Sequence, residues 1–391
     1  MENKAWQQYQ AVYVHIPFCR QKCLYCDFTS YAHCSESEKN TYVDALCEEI
    51  AHTSTEKLAP SATVYFGGGT PSVLEVEQLQ RIVDSLRARK LWQSPQEATI
   101  EVNPGTVDLD KLRALRAMGF TRVSMGVQSL QDEELQAVGR IHDSRQALEA
   151  LELAVQAGLE HINADVIYGL PLQTLASLEA NLRRLCATGI DHISVYGLIL
   201  EEQTPLWQLV QQGRISLPDE DTCADMYELV QGLLRDEGFC RYEISNYVRL
   251  GEGKDLHTSG YSRHNDVYWR YQPYLALGAG AVSFDGVKRC NRPAGIRAYI
   301  DWVHGKPFPV EERLTEQELF SEFMLMGLRR SRGASLCEAR ERFGVDVLQV
   351  YGEALRPYRE RGLVDYDAGE ERLFLTGSGM ELGNRIFELF V

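Results

Sequence analysis

Cys19-Arg-Gln-Lys-Cys23-Leu-Tyr-Cys26 places three thiols within eight residues, directly after the short apolar run Val12-Tyr13-Val14-His15-Ile16. Three thiolates this close can hold three irons of a [4Fe–4S] cube, which leaves the fourth iron open to a further molecule. Such an open corner separates a reactive cluster from a pure electron carrier. Two other chemistries compete. A zinc centre needs further ligands, for which His33 and Cys34 stand downstream. A Cys-x-x-Cys redox pair would use Cys23 and Cys26 and leave Cys19 without a role. Ten cysteines in 391 residues are too sparse for a disulfide-stapled fold.

A second cluster of chemistry-bearing residues is His264-Asn265-Asp266-Val267-Tyr268-Trp269. Imidazole is a common axial ligand of haem iron, and Tyr and Trp offer flat apolar surface to a porphyrin. A lone histidine is more often a hydrogen-bonded structural group. As an iron ligand, a histidine titrating near its ordinary value of about 6.5 would release haem as the pH falls. His161 and His257 are the alternatives to His264 for that role.

Short β-rich runs alternate with helix-period segments between residues 12 and 200, the pattern of repeated βα units. Strands are expected at Val12–Ile16, Ala62–Phe66, Thr99–Val102, Arg122–Val127, His161–Ile167 and His192–Leu198. Helices are expected at Glu36–His52 with Ser35 as its cap, and at Glu75–Arg89, Asp108–Met118, Ser144–Ala157 and Leu175–Thr188. The cysteines follow the first strand and a glycine run the second, while Glu101, Gln128 and Asp165 fall near the ends of the third, fourth and fifth. In a parallel βα barrel those ends form one mouth, where chemistry is done. The alternation alone would also fit a doubly wound open sheet.

The motifs carry a resemblance. His15-Ile16-Pro17-Phe18-Cys19-x3-Cys23-x2-Cys26 resembles the radical S-adenosylmethionine (SAM) signature. Gly67-Gly68-Gly69-Thr70-Pro71, Glu101-Val-Asn-Pro104, Gly126-Val-Gln128-Ser129, Gly139-Arg140 and Asp165-Val-Ile-Tyr-Gly169-Leu-Pro171 resemble, in order, the motifs of the oxygen-independent coproporphyrinogen III oxidase family, over at least residues 12–285. The resemblance implies an α/β fold with a partial (β/α)6 barrel, a C-terminal extension and a small winged-helix-like α+β module. It implies Cys19, Cys23 and Cys26 as ligands of one [4Fe–4S] cluster. The Gly69-Thr70 turn would hold the amino group of SAM, and Glu101 its methionine or ribose. Gln128 would be a further SAM contact, Arg140 would pair with the carboxylate and Asp165 with the ribose hydroxyls. Tyr13 and Tyr25 would flank the cluster and adenine.

Within this family, His264-Asn-x-x-Tyr268-Trp269 is similar to the signature of the HemW-type haem chaperones, which implies haem as a third cofactor and His264 as its iron ligand. Two departures separate the chain from the decarboxylating oxidases. They carry a further cysteine where this chain has Phe28, and a longer segment before the first strand, where this chain has eleven residues. The resemblance therefore implies a haem chaperone that delivers haem to an acceptor protein, with coproporphyrinogen III oxidation as the alternative activity. The expected divisions are a barrel over residues 1–205, a linking region with the haem motif over 206–310, and the winged-helix-like module over 311–391.

Composition agrees. With 56 acidic against 40 basic residues, the net charge of −16 offers nothing to nucleic acid or an anionic surface. No apolar run approaches the roughly 20 residues that span a bilayer. A cytoplasmic protein with reduced thiols is expected.

Overall fold

The computed structural model describes residues 5–251, 260–308 and 311–391. Six strands run parallel and neighbour one another in chain order: β1 (Tyr9–Ile16), β2 (Leu58–Gly68), β3 (Ala98–Val102), β4 (Arg122–Gln128), β5 (His161–Tyr168) and β6 (His192–Gly197). Helices between them cover one face. Two of them show how the sequence sets their ends: Ser35 with Glu38 opens Glu36–His52, and Asp143 with Gln146 opens Ser144–Ala157, which stops at left-handed Gly158.

Strand periodicity then divides the side chains between two environments. Val64, Phe66, Ile100, Val102, Val123, Met125, Ile162, Ala164, Ile193 and Val195 join the helices in a continuous apolar core. The alternate positions Thr99, Glu101, Ser124, Asn163, Asp165, Ser194 and Tyr196 are polar and line a shared cavity. Strands β2 to β6, which present one face to the same cavity, must curve around it.

The sheet extends beyond the six expected strands. β7 (Phe239–Arg241) and β8 (Asn246–Arg249) follow in the chain, and β8 pairs antiparallel with β6. On the other edge β9 (Tyr274–Leu277) lies parallel to β1, continued by β10 (Val282–Phe284), β11 (Lys288–Asn291) and β12 (Glu311–Arg313). The order is β12-β11-β10-β9-β1-β2-β3-β4-β5-β6-β8-β7. The His264 motif forms a short helix, Arg263–Trp269, capped by Ser262.

Helices Glu316–Leu328, Leu336–Phe343 and Val347–Glu360 pack with a three-stranded sheet (Ala334–Ser335, Arg372–Leu375, Val364–Asp367) around a second core that includes Phe323, Leu355 and Leu373. The chain ends in two short helices, Gly377–Glu381 and Gly383–Phe387, and a 3-10 turn. Leu382, at φ −107° and ψ 16°, leaves helical geometry between the two pieces. No helix among the described residues is long and apolar enough to cross a membrane.

Candidate functional site

The cysteine loop leaves β1 and is pinned from several directions. Leu24 N–H donates to Val138 O (3.0 Å), Leu206 N–H to Leu24 O (2.8 Å), and the Gln21 amide to Gly139 O (3.0 Å). Cys19, Cys23 and Cys26 all line one cavity of about 500 Å³. Burial pushes the Cys19 and Cys26 thiols above their ordinary pKa, and the neighbouring Cys23 adds to it. Metal must therefore displace protons from these sulfurs. Opposing charge is at hand, since Arg140 donates from Nη1 to Cys23 Sγ (3.3 Å), while Thr70 Oγ1 donates to Cys19 Sγ (3.6 Å). Among the described residues no three His, Cys, Asp or Glu side chains stand close enough to share one metal ion. A cluster built with its own sulfide spans a wider set of thiolates. Three thiols on one wall, a guanidinium beside them and open volume in front fit such a group.

The residues expected around SAM gather at the same cavity. Tyr25, Gly69, Thr70, Glu101, Gln128, Arg140 and Asp165 all line it. Gly69 belongs to the turn after β2, where its N–H donates to Ile16 O (2.9 Å); a Cβ there would come 2.6 Å from Phe18 O, so the turn closes only on glycine. Glu101 accepts from the Tyr65 hydroxyl (2.8 Å) and the Gly68 amide (3.1 Å). Burial still raises its pKa to about 7, with the nearby Asp165 carboxylate adding to the rise. Burial likewise raises Asp165, which accepts from Ser124 Oγ (3.0 Å) and Asn163 Nδ2 (2.8 Å). Arg140 also donates to Asn103 Oδ1 (3.1 Å) and to Gly126 O, and its buried Nε has no partner among the described residues. Gln128 sits at φ +67°, a left-handed turn that bends β4 into the mouth. An unpaired buried guanidinium N–H and two carboxylates on the wall of one cavity suit a polar ligand that carries both an anionic group and hydrogen-bond donors.

Two expected residues lie elsewhere. Tyr13 is absent from the cavity wall; its hydroxyl hydrogen-bonds His15 Nδ1 (3.0 Å), and its ring stacks on Tyr65. His264 is 1% exposed and also absent from the wall. Its Nδ1 hydrogen-bonds Thr63 Oγ1 (2.8 Å) and its Nε2 the Tyr268 hydroxyl (2.9 Å), so neither ring nitrogen is open to iron in this geometry. Burial lowers its pKa to about 3, which removes the titration expected near 6.5. Of the alternatives, His161 pairs with Asp191 (2.6 Å), and His257 lies outside the described residues.

Sequence reasoning missed Tyr65, Ser124, Asn163 and Ser194 at the cavity, although polar residues at every second position of β-rich runs were the available signal. It also missed the Glu97–Arg122 pair (2.9 Å), both side chains almost fully buried beneath the cavity. At the mouth, Phe28 is 71% exposed and lines the same cavity as the cysteines, as does Ile199.

Residues 13–185 match the model of the radical SAM superfamily, and residues 314–382 that of the HemN C-terminal domain. The chain is 34% identical to the haem chaperone HemW of Bacillus subtilis over 98% of this chain and 99% of that one. It is 38% identical to the HemW of Synechocystis sp. over 83% of this chain and 79% of the relative. Among solved structures it resembles coproporphyrinogen III oxidase (HemN) from Escherichia coli, a radical SAM enzyme. The TM-score is 0.81 at 25% identity, over 98% of this chain and 90% of that one.

Proposed function

Because this chain belongs to the family of the haem chaperone HemW within the radical SAM superfamily, we propose that it binds haem and passes it to an acceptor protein, and that it carries a [4Fe–4S] cluster and SAM beside that activity. The observation that carries this reading is a kinship running over nearly the whole length of both this chain and its relative. The radical SAM family implies the cluster and SAM; Cys19, Cys23 and Cys26 would hold the cluster, and the open iron would take the amino and carboxylate groups of SAM. When bound and reduced by an external donor, such a cluster would be able to supply one electron to the sulfonium.

The chain's own residues do the rest. Arg140 offers a guanidinium whose Nε has no partner among the described residues, beside the Cys23 sulfur. Glu101 and Asp165 offer acceptors to an ammonium group or ribose hydroxyls, and charge-assisted bonds of that kind are strong. Glu101 accepts best when ionised. Its pKa of about 7 therefore sets a sign: SAM affinity rises as the pH is raised from 6 to 8. Equilibrium dialysis with radiolabelled SAM across that range measures it. Glu101→Gln flattens the profile, and an equally steep profile in that variant removes Glu101 from the site.

Haem binding is tested by anaerobic titration, followed through the Soret band. The same preparation is assayed for turnover of coproporphyrinogen III, the activity that the likeness to the oxidase structure favours as a second reading. Stoichiometric haem uptake without decarboxylation is expected. Decarboxylation without haem uptake reverses the assignment. Phe28, in the place of the oxidases' further cysteine, puts an exposed aromatic at the cavity mouth, which supports the first outcome.

A further inference from the structure

The helix Arg263–Trp269 is tied to the SAM cavity by a run of contacts that the haem reading does not use. Glu97 caps its first turn, accepting from the amides of Arg263 (3.2 Å) and His264 (3.1 Å). One turn later, Tyr268 meets the His264 ring, and the pair faces β2. The His264 ring lies 4.8 Å from that of Tyr65, tilted by 32°, while its Nδ1 hydrogen-bonds Thr63 two residues earlier on the same strand face. Tyr65 in turn donates its hydroxyl to Glu101 Oε1 (2.8 Å), and Glu101 Oε2 accepts the Gly68 amide (3.1 Å). Gly67 makes room for this approach: a Cβ there would stand 2.8 Å from the Tyr65 ring and 2.9 Å from Glu101 Oε1.

We propose that His264 is a positioning residue of the SAM pocket, which with Tyr268 holds Tyr65 so that its hydroxyl fixes Glu101 toward the ligand. The physics favours this use of the ring. Both nitrogens meet hydroxyl groups, which donate or accept, so either tautomer of a neutral imidazole is satisfied. Burial keeps the ring neutral through the working pH range, so the support does not switch off. The other side of the same helix faces the C-terminal helices: Arg330 pairs with Asp266 (2.8 Å), and the Arg329 guanidinium lies over the Trp269 ring at 5.1 Å. The motif helix is thus clamped between the C-terminal part of the chain and β2, and its position is transmitted to Glu101 through one aromatic ring.

This inference rests on the SAM reading of the cavity, and a double-mutant cycle in SAM affinity separates the two. The dissociation constant is measured on anaerobically reconstituted protein for His264→Gln, His264→Ala and Tyr65→Phe, each alone and combined with Glu101→Gln. Cluster content and circular dichroism confirm that each variant is folded. A lost hydrogen bond to a charged group weakens binding about tenfold, which is expected for Tyr65→Phe and His264→Ala. His264→Gln, which keeps a donor and an acceptor, recovers part of the loss. In the Glu101→Gln background none of them has a further effect. If the unmutated protein binds no SAM, the cavity assignment itself fails. If it binds SAM and His264→Ala binds it equally well, or if the losses multiply in the Glu101→Gln background, the positioning role is overturned. Loss of the Soret band in His264→Ala with unchanged SAM affinity would return the residue to haem iron.

Discussion

Replacing Cys23 by Ala reduces iron and acid-labile sulfide in the anaerobically purified protein from near four per chain to near zero. The expected loss is nearly complete because each thiolate would hold a different iron, and the remaining two would have to anchor a cube with two uncovered corners. Cys23 also accepts from the Arg140 guanidinium, a group buried at the cavity wall. Removing that sulfur leaves part of a buried cation unpaired as well, and the loop should loosen around it. Cys19→Ala and Cys26→Ala are expected to behave alike in iron content, since all three sulfurs line the one cavity. Cys34→Ala and Cys47→Ala are the controls, because neither residue lines it. A Cys23→Ala protein with its full complement of iron and sulfide would show that the triplet is not the ligand set.

How far the sequence disclosed this site depended on the range over which each signal acts. The βα alternation was legible because amphipathic helices and buried strands each repeat their pattern several times, and caps such as Ser35 with Glu38 mark their starts locally. The cavity wall was legible in part: Glu101, Gln128 and Asp165 stand near strand ends, where a parallel sheet opens its mouth. Tyr65 and Asn163 were not named, since polar alternation marks one face of a strand but does not say that the polar faces of neighbouring strands close on one cavity until those strands are in place. β9 escaped notice for another reason. It is four residues long, and it joins β1 across more than 250 residues of chain, a pairing that no window of local pattern contains. The helical form of the His264 motif was not legible either. Its helix is seven residues long, below what propensity alone sustains, and exists because Glu97 and Ser262 cap it and β2 packs against it. Likewise a histidine's availability to iron depends on what its two nitrogens already touch, and Thr63 is 201 positions away.

The same cap predicts the largest effect on stability. Glu97→Gln keeps the shape of the side chain and removes its charge. Glu97 and Arg122 are 3% and 2% exposed, and the carboxylate also accepts from Ser262 Oγ and the amides of Arg263 and His264. Burial pushes its pKa up, but Arg122 and those amides outweigh burial and hold it below the ordinary carboxylate value. Arg122 is already short of one partner, since its Nη1 has none among the described residues. With Glu97 neutral, the buried guanidinium loses its directly paired anion and keeps the carbonyls of Gly260 and Tyr261 and the charge of Asp191, and breaking a buried pair in this way costs about 3 to 5 kcal/mol. Urea unfolding of the variant at neutral pH should show that loss in the barrel transition, whereas Glu179→Gln, in an exposed pair with Arg183, should leave it in place. The pH dependence has a definite sign. A carboxyl held below its unfolded pKa contributes stability above that pKa and loses it as the pH falls through the folded value. The gap between the parent and Glu97→Gln is therefore widest near neutrality and closes in acid. A gap that stays constant down to acid pH would mean that the carboxylate's charge is not what holds the motif helix against the barrel.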